Sequence, residues 1–181
     1  MKKKIAILGS TGSIGKSTLK VIKKNRNEFE VILLYANNNY KELIKQAKEF
    51  KAKNVFIKNE SLYKKTKDSL KNTKTKVYSG NTTVNNIIPK KIDFTMAAIV
   101  GIAGLQPTID AIKISKTVAI ANKESIICGW EILSKIKKKY KTKIVPVDSE
   151  HFSINELTKN IKDEDIAEII IKASGGPFLK T

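Results

Sequence analysis

Apolar residues along this chain gather in short blocks, separated by longer stretches in which they recur every three or four positions. Lys4–Leu8 is a strand that stops at Gly9, and Ser13–Lys24 has helical spacing through Ile14, Leu19 and Ile22. Val31–Ala36 predicts a second strand, and Lys41–Phe50 a helix with Leu43, Ile44, Ala47 and Phe50 on one face. Asn54–Ile57, Ser61–Leu70 and Thr75–Tyr78 continue as strand, helix, strand. Phe94–Val100 predicts a buried strand. Leu105–Ile114 predicts a helix with Pro107 in its first turn, where proline is tolerated. Thr117–Ala121, Ser125–Lys138 and Lys143–Val147 complete the series as strand, helix, strand. Strands apolar on both faces, alternating with helices, imply an α/β fold with a doubly wound parallel sheet covered on both sides. After Asp148 the rhythm changes. Ile154–Ile161 has helical spacing, and Ala167–Ala173 reads as an apolar strand running into Ser174-Gly175-Gly176-Pro177-Phe178. The expected division is a first domain over 1–148 and the start of a second over 149–181.

Composition narrows the class. With 41% hydrophobic and 29% charged residues in 181, the chain is globular. The apolar run Ile5–Leu8 is far shorter than the ~20 residues that span a bilayer and shorter than a signal-peptide core. Cys128 is the only cysteine, so no internal disulfide forms. The expected location is cytoplasmic, with no membrane partner. The formal charge of +18 invites a nucleic-acid reading, but Arg26 is the only arginine. The remaining cations are lysines spread over nearly every segment, without the guanidinium forks that read bases and grip phosphates. The expected partner is therefore no nucleic acid, and the positive field instead favours small anionic substrates.

Four segments carry chemistry. Gly9-Ser10-Thr11-Gly12-Ser13-Ile14-Gly15-Lys16-Ser17 joins the first strand to the first helix. As G-x-G-x-x-G, Gly12 and Gly15 fit while Ser10 stands for the first glycine. As G-x-x-x-x-G-K-[ST], Gly15-Lys16-Ser17 fit while Ser10 again takes the first glycine position. Either loop turns backbone N–H groups and a helix start toward an anion; the plain alternative is a tight turn. The second strand bears on the choice. It ends in Asn37-Asn38-Asn39, without the acid that binds a free ribose 2′-hydroxyl, which favours a 2′-phosphorylated dinucleotide. A phosphotransferase would want a magnesium-binding acid after an apolar strand, and Ile144–Asp148 imitates one.

Ala121-Asn122-Lys123-Glu124-Ser125 follows a strand at the edge where α/β sheets bind ligands, although Lys123 and Glu124 also suit an ordinary helix start. Asp148-Ser149-Glu150-His151 ends the last strand of the first domain. Read as extended, it places the carboxylates of Asp148 and Glu150 on one side, a pair suited to magnesium or manganese. The role of His151 stays open between ligand, acid/base and surface residue. Ser174-Gly175-Gly176 permits close backbone approach to a phosphate, or is a plain turn ahead of Pro177.

In this order, GSTGSIG (Gly9–Gly15), MAAIVGIAGL (Met96–Leu105), ANKES (Ala121–Ser125), VDSEH (Val147–His151) and ASGGPF (Ala173–Phe178) resemble the 1-deoxy-D-xylulose 5-phosphate reductoisomerase family. The likeness covers essentially the whole chain but a little under half of a family member. It implies a Rossmann-like domain followed by the truncated start of an α+β catalytic domain. It also implies an NADPH-dependent enzyme of isoprenoid biosynthesis by the non-mevalonate route. In that family a divalent cation, Mg2+ or Mn2+, chelates the phosphorylated sugar. The carbon skeleton rearranges by retro-aldol cleavage and re-addition, and NADPH reduces the aldehyde to 2-C-methyl-D-erythritol 4-phosphate.

By position, the resemblance implies that Thr11, Gly12, Ser13 and Ile14 hold the cofactor phosphates and that Asn37, Asn38 and Asn39 lie by the adenosine ribose. The family carries a basic residue where Asn38 stands. Asn122 and Glu124 would approach the nicotinamide and Lys123 the substrate. Asp148 and Glu150 would hold the metal, Ser149 and Glu150 would touch substrate, and Ser174 its phosphate. Lys123, Asp148 and Glu150 form the implied catalytic group. Family members continue with a closing loop, further phosphate-binding residues, a third metal carboxylate and a helical domain, and the complete enzyme is a homodimer. The expectation is therefore a fragment that binds dinucleotide weakly and turns over little substrate. A non-catalytic nucleotide-binding remnant is the alternative, with a P-loop phosphotransferase third.

Overall fold

The computed structural model describes residues 1–170, apart from the side chains of Glu150 and Asp163. Seven strands form one sheet: β1 (Lys3–Leu8), β2 (Phe29–Ala36), β3 (Asn54–Ile57), β4 (Lys76–Tyr78), β5 (Ile92–Ala97), β6 (Ser115–Ile120) and β7 (Lys143–Pro146). All neighbours pair parallel, in the order β4-β3-β2-β1-β5-β6-β7. The helices are α1 (Ser13–Lys24), α2 (Tyr40–Phe50), α3 (Tyr63–Leu70), α4 (Val84–Ile87), α5 (Leu105–Ile114), α6 (Lys123–Tyr140) and α7 (Ser149–Thr158).

Period-two alternation sends the strand residues into two cores, one on each face of the sheet. Ile5 and Ile7 of β1 join Leu19 and Ile22 of α1, Leu43 and Ala47 of α2, and Leu70 of α3. Ala6 and Leu8 turn the other way, to Val84 and Ile87 of α4, Ala111 and Ile112 of α5, and Leu133 of α6. A bulge in β2 lets Ile32 slip out of the alternation: the register passes from Ile5 opposite Val31 to Ala6 opposite Leu33. Ile32 and Leu33 therefore enter the same core.

The chain walks outward from β1 through β2, β3 and β4, then returns to β1's other side and walks through β5, β6 and β7. The loops leaving β1 and β5 thus diverge, and a crevice opens at the carboxyl ends of these strands.

Several boundaries differ from the sequence reading. The strand predicted to run to Val100 ends at Ala97, and 98–100 form a loop. The helix predicted from Ser61 opens with a 3-10 turn, Glu60–Leu62. Short α4, capped by Thr83, carried no periodic signal. The helix predicted over Ile154–Ile161 instead spans Ser149–Thr158, because Asp148 caps it. The strand predicted over Ala167–Ala173 is not formed in its described part: 167–170 are irregular, with Ile169 and Ile170 exposed. An apolar run becomes a strand only where a neighbour completes its hydrogen bonds, and no described strand does so here. Residues 171–173 lie outside the described residues.

At the opposite end of the sheet from the crevice, Asp93, the second residue of β5, ties three strands together. Its Oδ2 accepts from the Lys4 backbone N–H of β1 at 2.8 Å and its Oδ1 from the Lys116 ammonium of β6 at 2.7 Å. The Lys116 hydrogen bond, then the Lys4 amide, hold its carboxyl below the ordinary carboxylate range. Because the folded value is the depressed one, the stabilisation is complete above the unfolded carboxylate pKa and is lost as pH falls through the folded value. Asp93→Asn is expected to lower the melting temperature at neutral pH. The gap to the parent should close as the pH falls below the ordinary carboxylate range, as followed by thermal circular dichroism. A gap independent of pH would show that the charge is not what matters.

Candidate functional site

The turn after β1 is built by two missing side chains. Gly9 has φ +84°, and a Cβ there would lie 2.5 Å from the Ala98 carbonyl oxygen in the loop after β5. A Cβ on Gly15 would strike the Gly9 carbonyl and the Ser10 backbone. The N–H groups of Gly9 and Ser10 both donate to the Tyr35 carbonyl at 2.9 Å, and the Gly12 N–H donates to the Gly9 carbonyl at 3.1 Å. The turn is thus tied to β2 and seated against β5. Ser10, which replaces a glycine of the fingerprint, is fully buried with its Oγ unpartnered, while its carbonyl accepts from Gln46 of α2. Gly12 is the N-cap of α1 and supplies no side-chain cap to the helix's first amides. Those amides face the crevice at the positive end of the helix, an arrangement that accepts an anion.

The second wall is held by Asn122, the buried N-cap of α6. Its Oδ1 accepts from the Ser125 N–H at 2.7 Å; its Nδ2 donates to the Gly101 carbonyl at 2.7 Å and to the Ile99 carbonyl. One amide therefore starts a helix and latches the loop that follows β5. Gly104 makes room for it, since a Cβ there would strike Asn122 Nδ2. Lys123 and Glu124 occupy the first turn of α6, so the helix-start reading holds, and both also line the crevice.

The third wall is Asp148, the N-cap of α7. The sequence reading took Asp148 and Glu150 as an extended pair. Instead they straddle a helix start, so strand alternation no longer relates them. Asp148 Oδ1 accepts from the His151 N–H at 3.0 Å and lies 2.6 Å from His151 Nδ1. The carboxylate is 15% exposed, and its Oδ2 is buried with no partner among the described residues. Burial pushes its pKa up, but the His151 amide, ring and charge outweigh this and hold it below the usual carboxylate range. An ionised oxygen with open lone pairs is a fitting donor for a hard cation.

These walls meet. Gly12, Ser13 and Ile14, the loop Ala98–Val100, and Asn122, Lys123, Glu124 and Asp148 line one cavity of about 240 Å³. Thr11 lies in the same turn. Asn37–Asn39 sit outside this cavity, at the end of β2: Asn39 caps α2, and Asn38 accepts from Asn59 at 3.0 Å. Ser149 is in the first turn of α7. The Glu150 side chain and Ser174 lie outside the described residues. The sequence reading assigned no site role to Ala98, Ile99 and Val100. The clue was an apolar run ending at Gly101, and Val100 is 86% exposed at the crevice.

A parallel sheet wound both ways from β1, with a glycine turn and an uncapped helix start at the point of reversal, defines the class: a Rossmann-like nucleotide-binding fold. The chain belongs to the 1-deoxy-D-xylulose 5-phosphate reductoisomerase family. Residues 5–130 match the family's model, and residues 144–181 match the model of its C-terminal domain. The chain is 54% identical over 178 residues to the reductoisomerase of Pelagibacter ubique, covering 97% of this chain and 46% of that protein. It is 45% identical over 178 residues to that of Wolbachia pipientis wMel, covering 98% and 45%. Among solved structures, the Zymomonas mobilis reductoisomerase in complex with NADPH matches with a TM-score of 0.78 and 40% identity, over 83% of this chain and 40% of that one. A DOX-P reductoisomerase in complex with NADPH, fosmidomycin and magnesium matches with a TM-score of 0.76 and 33% identity, over 82% and 37%. The chain spans about half the length of the curated relatives it matches.

The Asn122 latch has a measurable consequence. Asn122→Ala removes a cap and leaves two carbonyls unpaired, an expected loss of about 2–3 kcal/mol. Asn122→Asp keeps the cap but sets a carboxylate against the Ile99 and Gly101 carbonyls, and is expected to cost at least as much. Urea unfolding of the two variants checks this; a near-parental Asn122→Asp would show that the latch is energetically idle.

Proposed function

We propose that this chain forms the dinucleotide- and cation-binding part of a reductoisomerase that converts 1-deoxy-D-xylulose 5-phosphate to 2-C-methyl-D-erythritol 4-phosphate. The carrying observation is the convergence of the glycine turn, the start of α6 and Asp148 on one crevice, with Asp148 Oδ2 unpartnered among the described residues. In this reading 1–148 is the NADP-binding domain and 149–181 opens the catalytic one. Relatives solved with NADPH and with magnesium support both ligands.

The residues divide the work. The backbone at Thr11–Ile14 grips the pyrophosphate, with α1's positive end compensating its charge. Asn37–Asn39 flank the adenosine ribose. Asn122 acts through the loop it holds, fixing the apolar surface of Ile99 and Val100 that would receive the nicotinamide, and Glu124 would border that ring. Lys123 brings an ammonium to the phosphorylated substrate. Asp148 offers Oδ2 to the cation while His151 holds Oδ1 in place. Ser149, Glu150 and Ser174 complete the substrate and metal contacts. When bound, NADPH supplies hydride and the divalent cation supplies Lewis acidity at the substrate's oxygens.

Titrating the chain with NADPH and, separately, with Mn2+ tests the assignment. Dinucleotide binding is expected, by NADPH fluorescence, with ATP failing to compete. Asp148→Asn keeps a good helix cap but loses the charge. Its Mn2+ affinity, read by water-proton relaxation, should fall at least about tenfold, as expected for losing a charged ligand, while NADPH binding holds. Binding of ATP but neither dinucleotide would overturn the reading, and unchanged Mn2+ affinity would remove Asp148 from the metal site.

A further inference from the structure

The end of β2 poses a charge problem. A 2′-phosphate placed there brings about two negative charges, and Asn37-Asn38-Asn39 offer no cation. The neighbouring strand does. Ala36 pairs with Ile57 as the last register partners of β2 and β3. The ladder then continues past both strands, with the Lys58 N–H donating to the Ala36 carbonyl at 2.9 Å and the Asn59 N–H to the Asn37 carbonyl at 3.2 Å. Lys58 therefore sits beside Asn37, roughly one inter-strand spacing of ~4.8 Å away. It is exposed, and among the described residues its ammonium joins no ion pair.

Asn59 adds direction. Its Nδ2 donates to Asn38 Oδ1 at 3.0 Å, and its own Oδ1 accepts from the Ser61 N–H and hydroxyl. With its oxygen occupied, Asn38 is left with its amide N–H groups to offer, which are donors for a phosphate oxygen. The nearest acids in sequence are turned elsewhere. Glu60 lies with its carboxyl against Gly80, and Glu42 Oε1 accepts from Gln46.

We propose that Lys58 is the cation that selects a 2′-phosphorylated dinucleotide, acting with the Asn38 amide that Asn59 orients. This rests on the dinucleotide reading of the crevice. Lysine suits the place as a point charge on a flexible stem, needing no bidentate geometry.

The test compares NADPH with NADH, and 2′,5′-ADP with 5′-AMP, on the full chain by calorimetry. Lys58→Ala is expected to weaken NADPH and 2′,5′-ADP about ten- to a hundredfold, the range of a hydrogen bond to a charged group. NADH and 5′-AMP should stay within about twofold, and Lys58→Arg should keep the parental preference. Asn59→Ala should lose part of the same preference, and Lys41→Ala, at the second residue of α2, none. Matching melting curves confirm that the exposed substitutions leave the fold intact. A parent that prefers NADPH and keeps that preference in Lys58→Ala overturns this proposal alone. Equal loss for both members of each pair also overturns it, since the 2′-phosphate would then not be what Lys58 reads. A parent that binds none of the four ligands overturns the dinucleotide reading and this proposal with it.

Discussion

Everything at this crevice depends on a contact that only a residue without a Cβ allows. Gly9 lies against the Ala98 carbonyl, and Gly15 lies against Gly9. The first contact brings the turn after β1 up to the loop after β5. The second draws the first turn of α1 down onto the turn itself. Add a methyl group at either point and the backbone must move, because the obstructing atoms are themselves backbone. The consequence is positional: the helix's unpaired amides open at the one place where the sheet's winding reverses. Topology makes the gap between diverging loops, and two absent side chains set what looks into it.

The remaining walls use asparagine and aspartate where glycine cannot serve, because they must fix a loop or carry a charge. These residues show how much of the site was legible. The glycine turn was readable, since its spacing follows a strand and opens a helix. So was the parallel sheet, since β1, β2 and β3 are apolar on both faces. Asn122–Glu124 and Asp148 stand out in the sequence as polar residues at strand ends, and the structure places them on one cavity with Gly12, Ser13 and Ile14. The latch was not readable. Nothing in Ala121-Asn122-Lys123 says that the Asn122 amide will reach Ile99 and Gly101, more than twenty residues back; that is settled by β5 and β6 lying side by side. The extended backbone expected over Asp148–Glu150 was misread for a local reason. Period-two alternation was extended past the strand's end, although Asp148 is itself a strong helix initiator.

The apolar run over 167–170 shows the opposite limit. Its composition suits a strand, yet the described part finds no partner among the described residues, and Ile169 and Ile170 are exposed. β propensity describes fitness for a half-buried pleated surface, and it becomes structure only when that surface exists. The helices are less exposed to this error, since their backbone hydrogen bonds close within the segment. Predicted and observed bounds accordingly agree for α1 and α5. Agreement is poorest where a segment relies on a distant partner or a single cap.

Asn122 and Asp148 occupy equivalent places: each caps the helix that follows one of two adjacent strands, β6 and β7, at the carboxyl edge of the sheet. Their side chains have nearly the same shape, so the difference between them is chemical. The Asn122 amide has an acceptor for the helix and donors for two carbonyls, and it spends both ends on the protein. Asp148 has only acceptors. One oxygen serves the helix and His151, and no carbonyl can engage the other, because two acceptors repel. That oxygen stays buried, charged and, among the described residues, unpartnered. An unpartnered buried carboxylate oxygen is costly in a structure that has no use for it. Exchanging the two residues would undo both arrangements at once, since the loop would lose its donors and the crevice its charge. The difference between an amide that holds the wall and a carboxylate left with an open oxygen therefore follows from one substitution of O⁻ for NH₂ at matched positions.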